Sequence, residues 1–155
     1  MQIAHIGVAV FVAGVTIVTG YQEDKEVRLG LHETVRVGGY DFRFKGVREV
    51  NGPNYDAARG EIEVVSGGRT VKMMYPEKRI YEVSGNVMTE AAIDTGVFRD
   101  LYLSLGEPSE DDRAWSVRVQ YKPFVDWIWG GAALMALGGG LAWSDPRRRT
   151  SRSES

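Results

Sequence analysis

The 155-residue chain has no cysteine, which removes disulfides, thiolate metal ligands and a cysteine nucleophile from its possible chemistry. Histidine is almost as scarce, since His5 and His32 are the only two. Any chemistry that needs an imidazole therefore depends on one of these two positions.

Charge is missing from two long stretches, residues 3–20 and 124–143, apart from Asp126 in the second. A bilayer core requires about 20 predominantly apolar residues per helix. The second stretch has that length and carries tryptophan at both ends, where indole rings settle at membrane interfaces. We predict transmembrane helices over residues 1–20 and 123–143.

Basic residues are missing before the first apolar stretch, which begins Met-Gln-Ile-Ala-His. A secretory signal normally has a basic segment there, so the pattern favours a membrane span. Cleavage near Gly20 is the competing interpretation, and it would remove His5. Arginines 147, 148, 149 and 152 predict a cytoplasmic basic tail over residues 144–155. The middle, 21–122, is then extracytoplasmic, and in a bacterium it is a periplasmic domain held at the inner membrane.

The charges nearly balance, with 19 Lys and Arg against 21 Asp and Glu. A nucleic-acid-binding domain typically shows a clear basic excess. We therefore expect no nucleic-acid partner.

The middle segment has the period-two alternation of strands. Val35 and Val37 precede a Gly-Gly pair, after which Tyr40, Phe42 and Phe44 alternate with charged residues. A second alternating segment reverses at Ser-Gly-Gly, residues 66–68, and a third covers 115–121. Residues 91–105 are ambiguous. The predicted fold is a mainly β extracytoplasmic domain, a small antiparallel barrel or sandwich, flanked by two transmembrane α-helices.

The first helix carries one polar stripe. At about 100° per residue, one face contains His5, Ala9, Val12, Thr16 and Thr19. An ionisable residue in a span is costly and suggests a functional site, and histidine is a common axial ligand of haem iron. The alternative is that His5 only forms a hydrogen bond near the helix start.

Six motifs in order give a family resemblance. They are AHIGVAV at 4–10, NGPNY at 51–55, YPEKRIY at 75–81, MTEAAID at 88–94, RDLY at 99–102 and YKPFVDWIWGGAALMALGG at 121–139. Together they resemble the C-terminal portion of the CcmF family of cytochrome c maturation (system I) haem lyase subunits, over essentially the whole chain.

The resemblance implies a part of a membrane haem lyase that attaches haem covalently to apocytochrome c. It implies that His5, in the AHxG pattern, is a metal ligand and haem-binding residue for a haem b shared with an upstream segment or subunit. That haem would reduce the iron of the incoming haem. The implied partners are a haem chaperone, apocytochrome c and other maturation subunits, contacted through the periplasmic domain.

The tryptophan-rich WWD segment of that family is absent, so we expect a fragment or split gene product without catalytic residues of its own. Glu90 and Asp94 are weak candidates for an acid–base pair. His32 is expected to be a solvated loop residue. Two alternatives stay open: a non-metallated, membrane-anchored periplasmic assembly module, and an unrelated anchored sensor or adhesin.

Overall fold

The computed structural model describes residues 2–110 and 113–144, and these residues divide into two compact units. The helical unit contains α1 (Gln2–Tyr21), α2 (Val125–Ser144) and the short segment Val97–Arg99. The β unit consists of Gln22–Gly96 and Asp100–Lys122. Residues 145–155, nearly all of the predicted basic tail, lie outside the described residues.

The β unit is built from two antiparallel sheets. Its strands are β1 (Glu23–Gly30), β2 (Thr34–Val37), β3 (Tyr40–Asn51), β4 (Tyr55–Ser66), β5 (Arg69–Met74), β6 (Glu77–Tyr81), β7 (Val87–Glu90), β8 (Ala92–Asp94), β9 (Arg99–Pro108) and β10 (Ala114–Pro123). One sheet has the order β1-β10-β9-β8, and the other has the order β2-β3-β4-β6-β7 with β5 beside β4. The predicted small antiparallel fold is confirmed, and the two separate sheets make it a sandwich.

The two predicted hairpins are confirmed, and glycine sets both turns. Gly38 and Gly39 link β2 to β3 with φ of 58° and 81°, and Gly67 and Gly68 link β4 to β5 with φ of 57° and 75°. Two residues with positive φ form the tight turn whose twist matches that of paired strands. Glycine adopts this conformation without the steric penalty of a Cβ atom.

Strand β4 changes its partner halfway along its length. It pairs with β3 on one side throughout, and on the other side it pairs first with β6 and then with β5. At the changeover the amide of Gly60 donates a hydrogen bond to the Pro76 carbonyl at 2.8 Å. A single long strand therefore pairs directly with three of the other five strands of its sheet.

The core lies between the sheets and uses the alternating residues that the sequence indicates. Its buried members are Leu29, Val37, Phe42, Phe44, Ile62, Val64, Met74, Leu101, Leu103, Leu105, Val117 and Val119. The ambiguous segment resolves into β8 and β9, because leucine at 101, 103 and 105 places every second side chain in this core.

In the helical unit, α1 and α2 are both long and apolar enough to cross a membrane. Their contact is made through glycines spaced seven residues apart. A Cβ atom on Gly7 would lie 2.6 Å from the Met135 amide nitrogen, and one on Gly131 would lie 2.5 Å from the Phe11 amide nitrogen. Small residues allow helix backbones to approach closely in lipid, where packing replaces the hydrophobic effect as the driving force.

An aromatic cluster marks the start of α2. The Phe124 amide donates to the Phe98 carbonyl at 3.0 Å, and the Phe124 ring lies 5.8 Å from Phe98 and 5.1 Å from Trp127. Phe124 has a φ of 58°, a strained conformation for a bulky residue. The cluster therefore fixes the turn that leads into α2.

The glycine contact predicts a selective response to added methyl groups. Gly131→Ala should destabilise the helix pair by about 1–3 kcal/mol, because its Cβ atom meets the α1 backbone, which has no rotamer to change. Unfolding by SDS in mixed micelles, followed by tryptophan fluorescence, measures this loss. Gly130→Ala is the matched control, since its added Cβ atom has no heavy atom within 4 Å. Equal effects of the two substitutions would contradict the glycine contact.

Candidate functional site

His5 lies in α1 on the side opposite to the contact with α2. The contact face includes Gly7 and Gly14, which are buried, whereas the side chain of His5 is exposed. At about 100° per residue, His5 is rotated by roughly 160° from Gly7. The predicted polar stripe is therefore a real face of the helix, but it does not face the other helix of this chain.

Two other positions of this stripe are small or internally satisfied. Ala9, one turn beyond His5, offers only a methyl group, and the Thr16 hydroxyl donates to the Val12 carbonyl at 2.8 Å. The imidazole of His5 provides the nitrogen donor of an axial haem ligand, and Ala9 adds only a methyl group on the same face. Within residues 2–110 and 113–144, no group of three or more His, Asp and Glu side chains is arranged to hold a metal ion. The donor set thus suits one axial position of a haem and does not suit a metal ion held entirely by side chains of the described residues.

His32 is an exposed turn residue, as predicted. It has a φ of 66°, and its amide donates to the Phe44 carbonyl at 2.7 Å. Its position is set by this backbone turn between β1 and β2.

A charged cluster on β4, β6 and β7 joins three of the family motifs. Glu77 is only 6% exposed, and its carboxylate accepts hydrogen bonds from Arg59 Nε at 2.5 Å and from Arg79 Nε at 2.8 Å. Arg79 also lies 3.5 Å from the Glu90 carboxylate and places its guanidinium 4.5 Å from the centre of the Tyr55 ring. We name Tyr55, Arg59, Glu77, Arg79 and Glu90 the Glu77 cluster.

The charged residues of YPEKRIY favour a strand with exposed charged edges, and this expectation is wrong for Glu77, which is buried. Alternation along β6 cannot reveal its burial, because its partner Arg59 is 18 residues away on β4. Register brings the two strands together, with Arg59 opposite Glu77 and Tyr55 opposite Tyr81. The Gly-Pro pair of NGPNY predicts a turn, and the motif does supply the turn before β4, where the Gly52 amide donates to the Tyr55 carbonyl at 2.7 Å.

Burial and charge act in opposite directions on Glu77. Burial alone would raise the pKa of its carboxyl group, but hydrogen bonds from Arg79 and Arg59 outweigh this effect and lower the pKa below its ordinary value. The bond to Glu77, with a further one to Tyr81, raises the pKa of Arg79. The carboxylate is therefore ionised at neutral pH, and the cluster is a stabilising network of ion pairs.

The suggested acid–base pair of Glu90 and Asp94 does not form. Glu90 belongs to β7 and pairs with Arg79, whereas Asp94 belongs to β8 in the other sheet and pairs with Lys72. Each carboxylate is engaged by its own cation. The geometry therefore gives these two residues structural ion pairs in place of a shared proton.

The Glu77 cluster predicts a pH-dependent contribution to stability. Because the folded state lowers the pKa of Glu77, its stabilising effect is complete above about pH 4.5 and is lost as the pH falls through the folded pKa. Glu77→Gln should lower the free energy of unfolding by about 1–3 kcal/mol at pH 7, since two arginines lose their charged acceptor.

Thermal unfolding of the full chain in detergent, at pH 3 to 7, measures the difference in stability between the unsubstituted chain and Glu77→Gln. It should shrink below about pH 4.5, where the carboxyl group becomes protonated in the unfolded state, and it should be smallest once the pH falls below the lowered pKa of the native carboxylate. Glu49→Gln, at an exposed carboxylate on β3, serves as the control and should change stability by less than about 0.5 kcal/mol. A constant loss for Glu77→Gln across this range would refute the assignment.

Comparison with known proteins gives one consistent answer. The family model described as the CcmF C-terminal beta-sandwich matches residues 20–123. The cytochrome c-type biogenesis protein CcmF of Pseudomonas aeruginosa is 48% identical over 149 residues, which cover 96% of this chain and 22% of that relative. CcmF of Escherichia coli is 46% identical over 149 residues, 96% of this chain and 23% of the relative.

A solved structure titled "Cytochrome c Heme Lyase CcmF" matches the fold with a TM-score of 0.68 at 20% identity, over 88% of this chain and 23% of that chain. The chain spans about a fifth of the length of the curated relatives it matches. Since the matched family model covers most of the chain, the protein belongs to the CcmF family and corresponds to its C-terminal portion, whose centre is the β-sandwich.

Proposed function

We propose that this chain is the C-terminal part of a membrane haem lyase that attaches haem covalently to apocytochrome c. The proposal is supported by relatives named for cytochrome c-type biogenesis, which align with 96% of the chain. Because the chain spans only about a fifth of those relatives, it contributes to the reaction and is not itself the whole catalyst. The family membership rules out the unrelated sensor or adhesin.

His5 is the proposed ligand of a haem b. The observation that carries this proposal is the orientation of α1, where close packing on α2 leaves His5 on the opposite face. An imidazole facing lipid is costly, so this face is better placed against protein or a cofactor. The opposing axial ligand would come from a segment outside this chain. When bound, the haem would supply one-electron redox chemistry.

What this chain supplies to the haem is ligation and space. His5 would donate one ring nitrogen to iron while its other nitrogen is oriented by a hydrogen-bond acceptor. Ala9 would leave room for the macrocycle on the same face. The packing between Gly7 and Gly131 would hold the histidine at a fixed rotation about the α1 axis.

The proposed location is the inner membrane of a bacterium, with residues 1–20 and 123–143 as spans. Residues 21–122 would form the periplasmic domain, and the basic tail 144–155 would be cytoplasmic. Two apolar helices of 20 residues each support this arrangement, since each is about 30 Å long and matches the hydrocarbon core. The arginines after α2 support the orientation.

The β unit is proposed as the docking domain for the haem chaperone, apocytochrome c and other maturation subunits. Exposed apolar side chains on β6 and β7, among them Ile80 and Val87, support a role in binding. The alternative is a membrane-anchored assembly module in which His5 is not metallated. Both share the docking role and differ at His5.

Replacement of His5 separates these two functions. Membranes that contain the chain together with the remaining lyase segment should show a reduced-minus-oxidised b-type haem spectrum. His5→Ala should abolish it or reduce it at least fivefold at equal protein level, and added imidazole should restore part of it by occupying the vacated coordination position.

Thr16→Ala is the control, because it lies on the same stripe and its hydroxyl is already satisfied by the Val12 carbonyl. It should leave the spectrum unchanged. A full haem signal in His5→Ala would remove the ligand proposal and favour the non-metallated module.

The topology is testable because the chain has no cysteine that would give background labelling. Val83→Cys, at a position that is 97% exposed, should react with a membrane-impermeant maleimide in intact spheroplasts. Ser153→Cys should react only after the membrane is permeabilised. The reverse pattern would place the β unit in the cytoplasm and contradict the proposed orientation.

A further inference from the structure

The two sheets of the β unit do not end together, and the difference leaves a groove at one end of the sandwich. Register places Asn51, Asp56, Ile80 and Val87 in one row across β3, β4, β6 and β7. On the facing sheet, β9 ends at Pro108 and β10 begins only at Ala114. The row extends beyond the sheet that would otherwise cover it.

This end groove has a volume of about 500 Å³. Its lining residues are Glu49, Val50, Asn51, Asp56, Ala57, Ala58, Lys78, Ile80, Val87, Glu107, Pro108 and Trp115. They come from both sheets of the β unit.

The floor of the end groove belongs to the sheet that contains β3, β4, β6 and β7. It continues the side of this sheet that faces the core, beyond the point where the other sheet covers it. The next cross-strand row on the same face, two residues along each strand, contains Glu49, Ala58 and Lys78. Ala58 packs on the hydrophobic core, and Lys78 pairs with Glu107 of β9 on the opposite sheet. Side chains two residues further along each strand point to the same face. Ile80 and Val87 therefore face the groove, and they are 52% and 57% exposed.

Negative charge surrounds this apolar floor. Glu49, Asp56 and Glu107 line the groove, and Lys78 is its single cationic lining residue. Lys78 is nearly covered and is paired with Glu107, which leaves the lining with a formal charge of −2. Trp115 forms an aromatic part of the wall. A ligand that complements these groups has an apolar element flanked by positive charge.

We propose that the end groove binds an extended cationic peptide segment of a partner protein. Apolar side chains of that segment would pack on Ile80, Val87 and Trp115, and its basic side chains would lie near Glu49 and Asp56. This inference rests on the docking role proposed above and deepens it, but it does not depend on His5.

The test uses the full chain in nanodiscs of zwitterionic phosphatidylcholine, so that a cationic probe does not bind the lipid electrostatically. The probe is a fluorescein-labelled (Lys-Val)4 amide, and fluorescence anisotropy measures its dissociation constant. We expect binding of this peptide, and at least fivefold weaker binding of the matched (Glu-Val)4 amide.

A charge reversal on β3 locates the site. Glu49→Lys should weaken binding of the cationic peptide at least fivefold. Asp41→Lys is the matched control, because it reverses a half-exposed charge near the other end of the same strand, about 26 Å away at about 3.3 Å per residue. It should change binding less than twofold. No binding of the cationic peptide up to 1 mM, or equal effects of the two reversals, would overturn the proposal.

His5→Ala should leave all of these values unchanged, so a failure of haem ligation and a failure of peptide binding are distinguishable.

Discussion

The close approach of α1 and α2 through glycine is the constraint on which the functional interpretation depends. In lipid there is no hydrophobic gain from pairing two apolar helices, so association relies on backbone proximity and side-chain packing. Gly7 and Gly131 provide that proximity, since neither position has space for a Cβ atom. This contact decides which face of α1 packs on α2 and which face, that of His5, points away from α2.

The β unit depends on a different kind of constraint, which is the pairing of β4. Its change of partner at Gly60 brings the NGPNY and YPEKRIY motifs together and places Arg59 opposite Glu77. The resulting ion pairs are partly buried and strongly directional, so they specify register as well as adding stability. The same register extends one sheet beyond the other and creates the end groove. Stability and the proposed binding surface are thus consequences of one strand arrangement.

Most of the fold could be predicted from the sequence because its signals are local. The hairpins at Gly38 and Gly67 follow from glycine turns between alternating residues, and the helices follow from length and apolarity. The segment 91–105 was ambiguous only because its glycine and aspartate residues obscured the alternation of leucines in β9. The local sequence pattern is sufficient to predict a helix or strand wherever one face of that element is buried.

The site was less predictable because its features depend on contacts between distant residues. The stripe containing His5 could be read from helical periodicity, but the sequence did not indicate that α2 packs on the opposite face. Burial of Glu77 depends on an arginine 18 residues away, and the end groove depends on where β9 and β10 stop relative to β6. Periodicity assigns residues to faces, whereas only the assembled sheets show which faces meet.

Photo-crosslinking from α1 in the membrane tests the central claim most directly. A photoreactive amino acid in place of Val12, on the face of His5, should crosslink in the assembled membrane complex to a segment outside this chain. The same amino acid in place of Phe11, on the glycine face, should crosslink to α2. Crosslinks from Val12 only to lipid, or to α2, would contradict the account.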